Sequence, residues 1–310
     1  MYRYWDIPYA VVLRTLVGAP IVYHLCLPPP KVVPRWLAPC LGRVDRTVSV
    51  SRDTAARWAG TGLRADRTSV VLTGIDLARY VPGSPEARVE TRRGLGVDPD
   101  AFVVLYAGRI GREKGVDVLV RAFARVAAAR PGGHLIVVGS PSLGSDPGDS
   151  ARYEAELREL ARDQAVTWLA AQHDVLALIQ AADVAVVPSL WPEPLSRSVM
   201  EPLACGVPVV ATRVGGNPEI LTGWLAQYLV EPDDVDGLAG RIVSLHGWRH
   251  SHPELGERCR SEAEARLSLG SEIDAVEAAL EAAVEAAPRG RHRLSRRRRS
   301  TSPRDATSCG

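Results

Sequence analysis

Lysine is nearly absent from this 310-residue chain: only Lys31 and Lys114 occur, against 38 basic residues in total. Arginine does almost all the work of positive charge, so a lysine at a given position is not what composition supplies by default. Cysteine is scarce and scattered. The five residues Cys26, Cys40, Cys205, Cys259 and Cys309 are odd in number and form no Cys-x-x-Cys, a pattern from which neither a disulfide framework nor a zinc site follows and which suits a reducing cytoplasm, the expected location. Long apolar runs are missing too. The opening MYRYWDIPYAVVLRTLVGAP is interrupted by Arg14 and is too short in its apolar part to span a bilayer or to serve as a signal peptide. A helix over 8–17 is expected, packed in a core, with contact at a membrane surface as the alternative.

Apolar residues make up 46% of the chain and charged residues 24%, ordinary for a soluble globular protein long enough for two domains. The net charge of +2 is unevenly placed. From Arg289 onward there are eight arginines and one aspartate, so residues 1–288 are mildly acidic. The basic tail, 288–310, lacks apolar periodicity and is expected to be disordered. Solvation is its simplest reading, so no specific nucleic-acid partner is expected.

Strand-like apolar runs occur at 19–24, 47–50 and 69–72, with helical segments between them. Ser51 reads as an N-cap for DTAARWA and Gly60 as its stop. Residues 80–99 are rich in proline, glycine and charge and read as a linker. A second unit then starts with FVVLYAGRIGREKGVDVLVRAFARVA: strand, glycine-bearing loop, amphipathic helix. Further strands are expected at 134–138, 166–169, 184–187 and 207–211, with helices at about 152–162 and 174–181. Such alternation means a parallel sheet with helices on both faces, binding ligands outside the carboxyl ends of its strands. Residues 253–287 are Ala/Glu/Arg-rich and helical by composition.

The stretch from Val184 to Leu221 carries the chemistry. A buried strand ends at Pro188, and Glu193 precedes Pro194, after which a helix can begin because proline is tolerated in its first turn. The amides of Leu195, Ser196 and Arg197 then lie at a positive helix end, a ready anion site. Glu201 follows Glu193 by eight positions, about 12 Å if the span is helical. That exceeds what a pair of glycosidase carboxylates needs, roughly 5–9.5 Å. Two carboxylates gripping hydroxyls at either end, with phosphates held between them, match the shape of a nucleotide sugar. Asp98-Pro99-Asp100 and Asp234-Val235-Asp236 read as turn and cap residues, and His250-Ser251-His252 as a polar loop. No catalytic metal or other cofactor is expected.

The segment resembles the retaining GT-B glycosyltransferases of family four. The resemblance rests on Glu193-Pro194-Leu195 through Glu201, then Ala204 to Thr212, then Gly215-Gly216-Asn217-Pro218-Glu219, with Gly108-Arg109 and Lys114-Gly115 resembling the family's diphosphate-binding pair. Pro202 stands where the family usually has alanine, and a proline inside a helix costs about 3 kcal/mol or kinks it. The resemblance implies an α/β fold of GT-B type: two Rossmann-like, doubly wound parallel-sheet domains. Residues 1–79 would be a remnant of the N-terminal acceptor-binding domain, 80–99 the linker, 100–249 the nucleotide-sugar donor domain, and 250–287 helices packing back toward the first domain. A complete first domain would open with a strand and a glycine-rich turn. Neither precedes Gly18, so the N-terminal domain is expected to be incomplete.

The implied reaction moves a sugar from a nucleotide-sugar donor to a glycan, lipid or small-molecule acceptor with retention at the anomeric carbon. Arg109, Lys114 and Glu193 are the implied catalytic residues. Gly108, Pro194, Leu195, Ser196, Arg197 and Glu201 complete the donor site, Glu201 holding ribose hydroxyls and Glu193 the sugar. The family places a cleft histidine where this chain has Cys26, with His24 two residues earlier on the same strand face. Peripheral association with the inner face of the membrane is a further expectation. Two other readings stay open: an epimerase or phosphorylase of the same fold, and a non-catalytic nucleotide-sugar-binding remnant.

Overall fold

The computed structural model describes residues 3–141 and 146–286; the basic tail expected to be disordered lies outside them. Two parallel sheets organise the chain. The first is built from α1 (Ile7–Val17), β1 (Val22–Leu25), α2 (Leu37–Leu41), β2 (Arg46–Ser49), α3 (Arg52–Arg57) and β3 (Thr68–Val70). Its three strands run in the order β1-β2-β3, and Val22 pairs with Arg46 in register. Its core is small: Ile7, Ile21, Tyr23, Leu25, Leu37, Leu41, Val44 and Trp58. α1 contributes one buried residue to it, Ile7, while Tyr9, Val12, Leu13 and Leu16 stay exposed.

Residues 80–99, read from composition as a loop-like linker, contain a helix, α4 (Pro85–Gly94). The same residues that suggest a linker build it. Ser84 caps the amide of Ala87, Pro85 sits in the first turn where no N–H is needed, and Arg92 and Arg93 face the negative carboxyl end. Arg92 is only 2% exposed. It donates to Ala181 O, Pro99 O, Ala101 O and the Asp183 carboxylate, and so fixes the linker to the second unit.

That unit continues through β4 (Phe102–Ala107), α5 (Val116–Ala129), β5 (Gly133–Val138), α6 (Pro147–Leu160), β6 (Val166–Leu169), α7 (Leu176–Ala181), β7 (Val184–Val187), α8 (Arg197–Ala204), β8 (Val209–Thr212), α9 (Asn217–Ile220), β9 (Leu229–Val230) and α10 (Val235–Ser244). The helices α11 (Trp248–Ser251), α12 (Glu254–Arg266) and α13 (Leu269–Ala286) follow. The strands β4, β5 and β7 are buried almost throughout, as a sheet covered on both faces requires. α5 shows why the helices pack: Val116, Leu119, Val120, Phe123 and Val126 recur every three or four residues and are all buried. Fully burying such side chains stabilises by about 1.5–3 kcal/mol each.

The six strands run in the order β6-β5-β4-β7-β8-β9. The order reverses between β4 and β7, so the loops that leave their carboxyl ends turn to opposite faces and open a crevice. Back-contacts join the two units. Ile75 donates to Leu267 O at 2.8 Å and accepts from Leu269 N, and Glu272 on α13 accepts from Gly74 N at 2.8 Å.

Candidate active site

The crevice at the strand-order reversal is lined by the loops after β4 and β7. The first, residues 108–115, ends in a short 3-10 turn, Arg112–Lys114, and a left-handed Gly115 (φ 66°). A Cβ at Gly115 would stand 2.1 Å from Pro188 O, so only glycine lets the two loops meet this closely. Leu190 N and Trp191 N donate to Glu113 O at 2.9 and 3.1 Å and lock the approach. As a result Lys114 Nζ forms an ion pair with Glu193, which also accepts from Ser189 Oγ at 2.6 Å. The two side chains are 12% and 15% exposed, so their attraction is screened less than that of a surface pair.

The helix that follows starts later than the sequence suggests. α8 begins at Arg197 with Ser196 as N-cap, not just after Pro194. Residues 193–196 are held outside the helix because Gly216 N donates to Glu193 O at 2.7 Å and Ser196 has extended dihedrals. The span from Glu193 to Glu201 is thus part loop, and the 12 Å helical figure does not apply. The positive helix end is carried by Arg197 and Ser198 rather than Leu195. α8 remains continuous through Pro202, two residues from its end at Ala204.

Glu201 is buried and accepts from Arg197 Nε at 3.0 Å. Tyr80, at the entry to the linker, stands near the same pair; burial first, then the Glu201 charge, pushes its phenol up. Two adjoining hollows make up the cleft. One, of about 210 Å³, is lined by Lys114, Ser189, Glu193, Leu195, Ser196 and Arg197, among others. The other, of about 240 Å³, holds Glu201 with Val138, Ser140, Gln172 and Val175. Gly108, Arg109 and Ser198 line both. One carboxylate therefore stands in each compartment, with the exposed Arg109 between them. Behind it, Tyr106 donates to Arg109 O at 2.5 Å, and burial holds that phenol protonated.

His24 and Cys26 line neither hollow. They lie at the end of β1, where burial lowers the imidazole and raises the thiol, and the Glu272 charge acts on both. Ser189, Tyr80 and Ser198 escaped the sequence reading. Ser198 Oγ donates to Ala107 O at 2.9 Å, a contact between α8 and the end of β4 with no local signature. Ser189 alone had a signal, directly after a strand-ending proline. A larger cavity, about 660 Å³, lies elsewhere and is walled by Arg88, Trp248, Arg249 and Arg260. Its arginines are engaged with Asp183 and with backbone carbonyls, so convergent polar groups and not volume single out the smaller cleft. Among the described residues no group of three or more His, Cys, Asp or Glu is placed to hold a metal ion, and no helix is long and apolar enough to cross a membrane.

The profile of the family "Glycosyl transferases group 1" matches residues 87–265. A GDP-mannose-dependent monoacylated alpha-(1-6)-phosphatidylinositol monomannoside mannosyltransferase of Corynebacterium glutamicum is 34% identical over 206 residues, 63% of this chain and 51% of that protein. D-inositol 3-phosphate glycosyltransferase of Thermobifida fusca is 30% identical over 264 residues, 80% of this chain and 58% of that one. The chain thus spans about half the length of the curated relatives it matches. In fold it is similar to the Anabaena protein HepE in complex with UDP (TM-score 0.80, 24% identity, 90% of this chain and 78% of that one). Sucrose-phosphate synthase from Thermosynechococcus elongatus gives a TM-score of 0.72 at 24% identity, covering 92% and 73%. The two parallel sheets are those of a GT-B type α/β fold, with three strands in the N-terminal sheet and six in the other.

Proposed function

Because the chain belongs to the glycosyl transferases group 1 family, we propose that it transfers a sugar from a nucleoside diphosphate donor to an acceptor hydroxyl with retention of anomeric configuration. The observation that supports this most is the two-compartment cleft, with a carboxylate in each part and arginine between them. In this reading the bond between the anomeric carbon and the diphosphate oxygen breaks, the acceptor oxygen takes its place, and the acceptor proton leaves with the diphosphate. Charge grows on the leaving group, and preorganised cations and amides aimed at that charge are the largest catalytic term such a site offers. Arg109, Lys114 and the first amides of α8 supply it, and we assign that role to no metal or cofactor. Arginine forks two phosphate oxygens while lysine acts as a point charge.

Glu193 holds sugar hydroxyls and Glu201 the ribose. In the free protein Lys114 neutralises Glu193 and Arg197 neutralises Glu201, so both carboxylates wait paired and are released to hydroxyls as the donor enters. The relatives' names point to GDP-mannose or a UDP-sugar as donor and to an inositol-type or lipid-linked acceptor. We place the reaction in the cytoplasm, and assign peripheral membrane contact to the exposed apolar side of α1. The three-stranded N-terminal sheet supports a second reading, donor binding without transfer. The test incubates the purified chain with labelled nucleotide sugars and cell-extract acceptors, then determines the product anomer by NMR. Retained configuration supports the proposal, inversion contradicts it, and nucleotide binding without product selects the second reading.

A further inference from the structure

The donor loop is connected to the N-terminal sheet by a short run of close contacts. Gly216 N donates to Glu193 O at 2.7 Å. A Cβ at Gly215 (φ 55°) would stand 2.0 Å from Glu193 O, and one at Gly216 would stand 2.3 Å from Pro194 O. The glycine pair therefore lets residues 215–216 lie directly on the backbone of 193–194, leaving no side chain to yield between them. Three residues on, in α9, Glu219 reaches across to the other unit. Its Oε2 accepts from Arg52 N at 2.8 Å and its Oε1 from Asp53 N at 2.9 Å. Ser51 Oγ takes the next amide, Thr54 N, at 3.1 Å. The first three amides of α3 are thus capped, two of them by a carboxylate 166 or more residues away. The backbone of Glu219 is itself held: Arg266 donates to Glu219 O at 2.6 Å and to Ile220 O at 3.1 Å.

A carboxylate on two backbone amides makes charge-assisted hydrogen bonds, stronger and more directional than apolar packing. Glu219 lines neither compartment of the cleft, so its effect on a donor runs through the Gly215-Gly216 contact. We infer that Glu219 is a positioning residue that couples occupancy of the donor loop to the placement of α3, and with it the acceptor-side sheet. The inference rests on the donor-site reading above. When a nucleoside diphosphate holds residues 193–198, the 215–219 segment that lies against them is held too, and the α3 amides stay capped for a larger share of the time.

Hydrogen exchange at single amides reads this directly. Binding of GDP or UDP, whichever calorimetry shows to bind, is expected to slow exchange of the Arg52 and Asp53 amides in the wild type by about tenfold. Glu219→Ala abolishes that slowing and, because the coupling is reciprocal, weakens nucleotide binding by up to about tenfold. Glu219→Gln, which retains one acceptor oxygen and serves if the alanine variant does not fold, keeps the slowing at one of the two amides. A merely structural cap would speed exchange in the variants with and without nucleotide alike, and would leave the nucleotide-dependent ratio unchanged. Preservation of that ratio at either amide in Glu219→Ala, or at both amides in Glu219→Gln, overturns the inference, as does its absence in a wild type that calorimetry shows to be loaded. No nucleotide binding to the wild type overturns it too, and in that case the calorimetry identifies the donor-site reading as the one that failed.

Discussion

Glu193→Gln separates the charge of Glu193 from its shape. In the free protein Glu193 neutralises Lys114 and accepts from Ser189 Oγ at 2.6 Å. Glutamine keeps an acceptor for Ser189 and removes the negative charge. An entering diphosphate then meets an unpaired lysine and no longer meets a carboxylate. A like unit charge at about 6 Å in an effective dielectric of about 20 repels by roughly 3 kcal/mol. Screening by salt at the mouth of an open cleft lowers that to about 1–2 kcal/mol. Nucleoside diphosphate affinity should accordingly rise by roughly 5–30-fold. The nucleoside carries no phosphate charge, so its affinity should change by less than about twofold. The nucleotide sugar should lose its advantage over the bare diphosphate, because the sugar hydroxyls lose their charged acceptor. Isothermal titration with GDP or UDP, the matching nucleoside and the matching nucleotide sugar gives all three numbers. A weaker diphosphate, or a parallel change in the nucleoside, would refute the reasoning that pairs Lys114 with Glu193 in one donor site.

Glu201→Gln should weaken nucleoside and nucleoside diphosphate by similar factors, about 5–30-fold, because a ribose contact is common to both; calorimetry showing an unchanged nucleoside would remove Glu201 from the site. Asp183→Asn should destabilise by about 3–5 kcal/mol, since it leaves Arg92, Arg249 and Arg88 around a buried position without their shared carboxylate. A urea midpoint shift worth less than about 1 kcal/mol at constant slope would show that backbone carbonyls suffice. Burial lowers both His24 and His134 below their ordinary 6.5. Above that value both states are neutral; below it the unfolded chain takes up protons that the folded one resists, so stability falls as pH drops through 6.5. The slope approaches at most about 1.4 kcal/mol per pH unit for each group, and an urea series from pH 7.5 to about 5 that is flat, or rises, contradicts the assignment.

Where one segment carries its own signal, sequence and structure agree. The runs VAVV and VTWL are strands with the expected bounds at 184–187 and 166–169, because a β-branched run closed by proline or loop residues has few other uses. Ser51 caps α3 as its position before DTAAR suggests. Other features depend on partners far away in the chain. The order β6-β5-β4-β7-β8-β9 cannot be read from strands that look alike, yet it is what makes the crevice. α4 was hidden because proline and charge serve a helix start as well as a loop, and the decisive contact, Arg92 with Asp183, joins residues 91 apart. The start of α8 was displaced by Gly216 holding Glu193, a constraint from outside the segment. Glu193 and Glu201 suggest a shared ligand by their setting between strand and helix, whereas Arg109 and Lys114 are tied to them only through a family pattern. Of their pairings in the free protein, Lys114 with Glu193 emerges from the two loops meeting at Gly115, and Arg197 with Glu201 is an i,i+4 pair within α8.

The central claim is that Lys114 faces the diphosphate of a bound nucleotide. Titrating GDP, UDP, guanosine and uridine into the wild type and Lys114→Ala tests it most directly. The account predicts that one nucleoside diphosphate binds the wild type, and that its affinity drops by about 10–100-fold in the variant while the matching nucleoside changes by less than about threefold. Equal losses for both ligands, or no binding of any nucleotide to the wild type, would contradict it.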